Sequence, residues 1–143
     1  MLKDGWVEFD GTASFMRGAV ALPATKTILA VFNDQGSASP CCSGLFFTET
    51  TLDTCNGLET KQVAPGDVRL TIDWSGSGVT GTANVFQKPT VAMLVYNASG
   101  SYAYVNTCLD TQAAANGVAT TTVMVGSRGH DATEPLRYFK VND

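Results

Sequence analysis

A chain of 143 residues with a net charge of −4 is one domain's worth of sequence, long enough to bury a hydrophobic core. Hydrophobic residues make up 44% and charged residues 15%, too apolar for a disordered segment. No basic stretch is present to hold nucleic acid, and no apolar run nears the roughly 18 residues of a membrane-spanning helix, so neither nucleic acid nor membrane insertion is expected.

In chain order, Met1-Leu2-Lys3-Asp4-Gly5 runs into a first expected strand at residues 6–9, with no apolar signal-peptide region before it. Residues 27–32 are apolar on both sides and stop at Asn33-Asp34-Gln35-Gly36; a further strand is expected at 44–48. The clearest alternation is at 68–74, with Val68, Leu70, Ile72 and Trp74 on one face and Arg69, Thr71 and Asp73 on the other. Strands are also expected at 79–86, at 90–96 (apolar on both faces and read as central), and at 102–106, 121–126 and 136–141. Only Thr111-Gln112-Ala113-Ala114-Ala115 leans toward helix, and Asn116-Gly117 stops it within about one turn. Turn residues punctuate the chain roughly every ten to fifteen positions, the rhythm of β-sandwiches and barrels. Residues 1–143 are therefore read as a single all-β domain, an antiparallel β-sandwich. Val31, Leu70, Ile72, Val91, Met93, Val95 and Val125 are its expected core.

The four cysteines, Cys41, Cys42, Cys55 and Cys108, lack the paired spacing of a zinc site. Adjacent cysteines rarely bond each other, so one of Cys41 or Cys42 is expected to bond Cys55 and the other Cys108; four buried thiols in a reducing compartment is the alternative. An oxidising location, extracellular or at a cell surface, follows from the disulfide reading.

The stretch "MLVYNASGSYAYVN", residues 93–106, reads as a hairpin with Asn97 exposed at its tip in a glycosylation acceptor, Asn97-Ala98-Ser99. Tyr96, Tyr102 and Tyr104 lie along it, with Tyr102 and Tyr104 sharing a face. Together with Asn106 and Arg128 they are the candidate ligand-binding residues, since sugars need an aromatic platform beside planar polar groups. The same tyrosines could instead cap the core with their hydroxyls at its wet edge. Loop oxygens at Asp34, Asp110 and Asp131 are the calcium candidates, although a turn-forming role is the expected one for each; no other cofactor is expected. The single histidine, His130, sits in a polar loop segment, so no nucleophile–histidine scheme is expected.

"WVEFDGTASFM", "VAMLVYNASGSYAYVN" and "VMVGSRGHDATEPLRYFK" follow one another across nearly the whole chain. This order resembles the laminin-G-like, concanavalin A-like lectin (jelly-roll) domain family. The matching residues are Phe9-Asp10-Gly11 after the first strand and Val125-Gly126-Ser127-Arg128 before Phe139. The resemblance implies a jelly roll and a non-catalytic recognition module for a glycan or protein partner. The acid pattern of the resembling hydrolases is incomplete here, because Glu8-Phe9-Asp10 is followed by Gly11-Thr12-Ala13 without a third acid. The chain also departs from the family by stopping at Lys140-Val141-Asn142-Asp143, short of a closing strand. That opens an alternative, a structural subunit assembling through an open N-terminal strand edge. The edge at residues 7–9 is expected to be met by residues 138–141 or by another chain.

Overall fold

Alternating apolar residues bury one face of each strand, and a chain with many such strands must stack them into layers. A computed structural model describes residues 2–3, 6–7, 16–34, 43–49, 55–74, 77–114, 117, 119–128 and 137–138. Among them are fourteen strands and no helix. These are β1 (Leu2–Lys3), β2 (Trp6–Val7), β3 (Met16–Leu22), β4 (Lys26–Asn33), β5 (Ser43–Glu49), β6 (Cys55–Ala64) and β7 (Asp67–Trp74). They continue as β8 (Ser77–Asn84), β9 (Pro89–Asn97), β10 (Gly100–Val105), β11 (Cys108–Ala113), β12 (Thr120–Val125), β13 (Ser127–Arg128) and β14 (Arg137–Tyr138).

A six-stranded antiparallel sheet, β3-β12-β5-β6-β7-β8, stacks on a four-stranded one, β11-β10-β9-β4, with β7 and β8 against β10 and β11. This is the expected β-sandwich. The core between the layers holds Val68, Leu70 and Ile72 from β7, Leu58 from β6, Phe32 from β4, and Ala92, Leu94 and Tyr96 from β9. Burying each of the larger aliphatic side chains stabilises the fold by about 1.5–3 kcal/mol.

Of the expected core, Leu70 and Ile72 are fully buried. Val31 and Val91 are 53% and 39% exposed, and Met93, Val95 and Val125 are only partly covered. For Val31, Val91, Met93 and Val95 the cause is the parity of β4 and β9. Both strands are apolar on both faces, so either alternate set could have turned inward. Ala92 and Leu94 take the inner face, beside Ala103 on β10.

β3 and β6 are strands the sequence pattern does not announce. The β6 sequence, CNGLETKQVA, is mostly polar, yet it pairs with β5 on one side and β7 on the other. Tertiary pairing outweighs its weak propensity. The helical lean at 111–115 is likewise overturned, because residues 111–113 extend as the end of β11 against β10. One turn of helix cannot compete with a vacant sheet edge.

Turn chemistry explains the tight hairpins. Pro65-Gly66 joins β6 to β7 with Gly66 at φ +75°, the left-handed position a type II turn requires. Asn106-Thr107 joins β10 to β11 with φ of +47° and +76°, as a type I′ turn demands at both central positions. Asparagine tolerates this backbone, whereas β-branched Thr107 is strained there. Thr107→Gly is therefore expected to raise stability by about 1 kcal/mol, read as a higher urea midpoint at unchanged slope. A lower midpoint would show that the strain is absent.

The N-terminal edge differs from expectation. Trp6–Val7 pairs with Leu2–Lys3, and Arg137–Tyr138 pairs with Ser127–Arg128. Among the described residues, the first strand thus takes its neighbour from Leu2–Lys3 rather than from Tyr138. Residues 8–9 and 139–141 lie outside the described residues.

Candidate recognition face

The antiparallel register of the four-stranded sheet decides which side chains share its outer face. One row across the sheet reads Thr27, Val95, Tyr102, Gln112, and the next reads Leu29, Met93, Tyr104, Leu109; Val31 and Val91 stand opposite each other beyond it. Leu29 is 65% exposed and Leu109 53%, while Met93, Val95, Tyr102 and Tyr104 are half-buried among them. No Asp, Glu, Lys or Arg occupies an outward position of these strands.

At one end of this face, Ser99, Tyr102, Gln112, Ala113 and Ala114 line an open pocket of about 250 Å³. Two hairpins in series build it. The β9–β10 turn is Ala98-Ser99, held by Asn97, whose Oδ1 accepts from Ser99 N at 2.8 Å and from Ser99 Oγ at 2.7 Å. This Asx turn places Ser99 Oγ 3.4 Å from the Tyr102 hydroxyl. The β10–β11 pairing then brings Gln112 directly opposite Tyr102. A phenol, an amide and a hydroxyl meet at a concave, water-accessible spot.

The hairpin expected over 93–106 is present, with Asn97 as the half-buried last residue of β9 rather than fully exposed at the tip. Tyr102 and Tyr104 share the outer face as expected. Tyr96 leaves the candidate set, because it points inward and is 1% exposed. The Lys26 Nζ lies 5.1 Å from its ring centre. Burial, and then the Asp73 charge, push its hydroxyl above the ordinary phenol range. Asn106 caps the end of the sheet: its Oδ1 accepts from Val91 N, and its own N donates to Val91 O, both at 2.9 Å. Arg128 lies on β13, in the two-stranded pair with β14 and not in the four-stranded sheet.

Of the calcium candidates, Asp34 is buried, with its carbonyl accepting from Gln87 N at 2.7 Å. Asp110 is committed elsewhere in the fold. A register shift between Ala103 and Tyr104 turns its carboxylate toward β8, where Oδ1 accepts from Thr82 N at 2.9 Å, Ala83 N at 2.8 Å and Thr82 Oγ1 at 3.3 Å. Asp131 lies outside the described residues, as do His130, Cys41 and Cys42. Among the described residues no three His, Cys, Asp or Glu cluster as metal ligands would. Cys108 is an exposed free thiol among the described residues, and its expected partner, Cys41 or Cys42, lies outside them. Cys108 stands opposite Val105 at the start of the edge strand β11. Cys55 opens β6.

Ser99, Gln112, Leu29 and Leu109 are site residues that sequence reasoning missed. Gln112 and Leu109 were hidden by the weak strand pattern of CLDTQA, and Leu29 by the two-sided apolarity of β4.

No family model and no curated protein sequence matches the chain. Ten solved chains match it in structure. One of them, domains LG4-5 of the mouse laminin alpha1 chain, superposes with a TM-score of 0.58 over 94% of this chain at 12% sequence identity. This chain spans 38% of the length of that one. The likeness shows the fold, which is laminin-G-like.

Proposed function

We propose that the domain is a non-catalytic recognition module that holds a glycan against Tyr102, in an extracellular or other oxidising setting. The observation that supports this is the pocket of Ser99, Tyr102 and Gln112. A sugar ring offers an apolar C–H face, which stacks on an aromatic ring, and hydroxyls, which pair with a planar amide. Tyr102 supplies the ring, Gln112 the amide and Ser99 a second hydroxyl. Nothing in that set is a nucleophile with a base beside it, so binding rather than turnover is the chemistry it serves.

A glycan array followed by titration of the best binder tests the reading. Tyr102→Ala should weaken binding at least tenfold, about 1.4 kcal/mol, while Tyr102→Phe keeps most of it because stacking survives. A wild-type domain that binds no sugar class would end the glycan reading.

A second reading, a structural subunit that docks onto other protein, is supported by a different observation. Leu29, Val31 and Leu109 are each more than half exposed on an uncharged sheet face. Isolated surface leucines are ordinary, but a continuous apolar patch is characteristic of protein–protein contact.

A further inference from the structure

We infer that the outer face of the four-stranded sheet is a dimer interface, and that its occupant is the same face of a second copy of this chain. The inference rests on the assembly reading, and its mass measurement is made without any glycan, so its failure is distinguishable from failure of the glycan reading. Its centre is the row Leu29, Met93, Tyr104, Leu109 with Val31 and Val91 beside it.

Three features of the face select a second copy as its occupant. The first is size. The four strands hold 8, 9, 6 and 6 residues, which at a rise of about 3.3 Å and a spacing of about 4.8 Å cover roughly 460 Å² before side-chain relief. A stable interface needs about 800 Å² from each partner, so this face supplies more than half of one and the side chains and loops at its rim the remainder. The second is charge. The chain carries −4, and two copies repel wherever acidic surfaces meet. The outward positions of this face carry no charged residue, so like can meet like here without an unpaired buried ion. The third is shape. Two sheet faces stack flat at about 10 Å with interdigitating side chains, and a two-fold axis through the face closes the contact with no apolar surface left over to propagate a chain of copies. The pocket of Ser99, Tyr102 and Gln112 lies at the hairpin end of this same face, so a second copy and a glycan compete for Tyr102.

Sedimentation equilibrium of the wild-type protein, under reducing conditions because Cys108 is exposed, should return twice the 15.0 kDa protomer mass. Leu29→Lys combined with Leu109→Lys should return a monomer, with at least a hundredfold rise in the dissociation constant. Both side chains already face solvent, so the variant should keep the wild-type circular dichroism spectrum. Val63→Lys, at a 43% exposed apolar position on β6 of the other sheet, is the matched control and should leave the dimer intact. Oxidative footprinting of unmodified protein supplies an answer that needs no variant. Met93 and Tyr104 should be protected at high concentration and become reactive on dilution. A wild-type monomer into the hundred-micromolar range overturns the inference. So does a dimer that survives the double substitution, a ladder of larger species, or equal Met93 and Tyr104 reactivity at all concentrations.

Discussion

Asp110→Ala is expected to destabilise the domain by about 3 kcal/mol, a large effect for a side chain that is not fully buried. Its carboxylate accepts from two backbone N–H groups and a hydroxyl on β8, joining an outer strand of one sheet to an outer strand of the other. On β8, the register against β7 shifts between Arg69 and Thr71, which frees Thr82 N and Ala83 N from the ladder. Removing the acceptor leaves those donors without their charge-assisted partner. The neighbouring Gly81 is required by the same arrangement, since a Cβ there would overlap the Asp110 carboxylate. Gly81→Ala should thus cost about 2–3 kcal/mol on its own, through the clash and the displaced hydrogen bonds. Added to Asp110→Ala it should cost little more, because the group it strikes is gone. Urea unfolding of the wild type, the two single variants and the double variant closes the cycle. Additive losses would show that Gly81 and Asp110 do not act as one unit.

What the sequence made legible depended on whether one face of a strand was polar. β7 alternates Val68, Leu70, Ile72 against Arg69, Thr71, Asp73, and the apolar set is the one that enters the core cluster, although Thr71 and Asp73 on the other face are also covered, at 2% exposure each. β9 offers Val91, Met93 and Val95 as readily as Ala92, Leu94 and Tyr96, so its parity is settled only by what it packs against. The division of the tyrosines is a consequence of loop length. A two-residue turn sets Tyr96 opposite Ser101 and Val95 opposite Tyr102, so Tyr96 faces the core and Tyr102 the outside. Asn97-Ala98-Ser99-Gly100 is turn chemistry and could be read directly, whereas Gln112 depends on a strand whose alanines favour helix in isolation. The link from Asp110 to Thr82 spans 28 residues and depends on register shifts in both strands. No local pattern announces such a contact.

Tyr96→Phe is expected to keep or slightly raise stability at neutral pH, whereas Tyr96→Ala should cost about 3–5 kcal/mol. The ring is almost fully enclosed by the core, and truncating it leaves a cavity that the stacked sheets cannot collapse into. Its hydroxyl, in contrast, is a buried oxygen without a hydrogen-bond partner among the described residues. Removing it relieves a desolvation cost rather than breaking a bond. The same burial gives the two proteins different behaviour in base. The folded Tyr96 hydroxyl titrates above its ordinary value of 10.0, first because of desolvation and second because of Asp73. Between those two values the unfolded chain has lost a proton that the folded chain still holds. Wild-type stability should therefore be unaffected below pH 10 and fall above it by about 1.4 kcal/mol per pH unit from this group. Lys26, beside the ring, has its pKa lowered by burial, so its own linkage runs the opposite way, favouring the folded state as pH rises through its range. Because Lys26 is present in both proteins, subtracting the Tyr96→Phe curve from the wild-type curve isolates the phenol. Parallel curves from pH 9 to 11.5 would mean that the Tyr96 oxygen reaches solvent or an acceptor, and that the inner face of β9 is wetter than its packing implies.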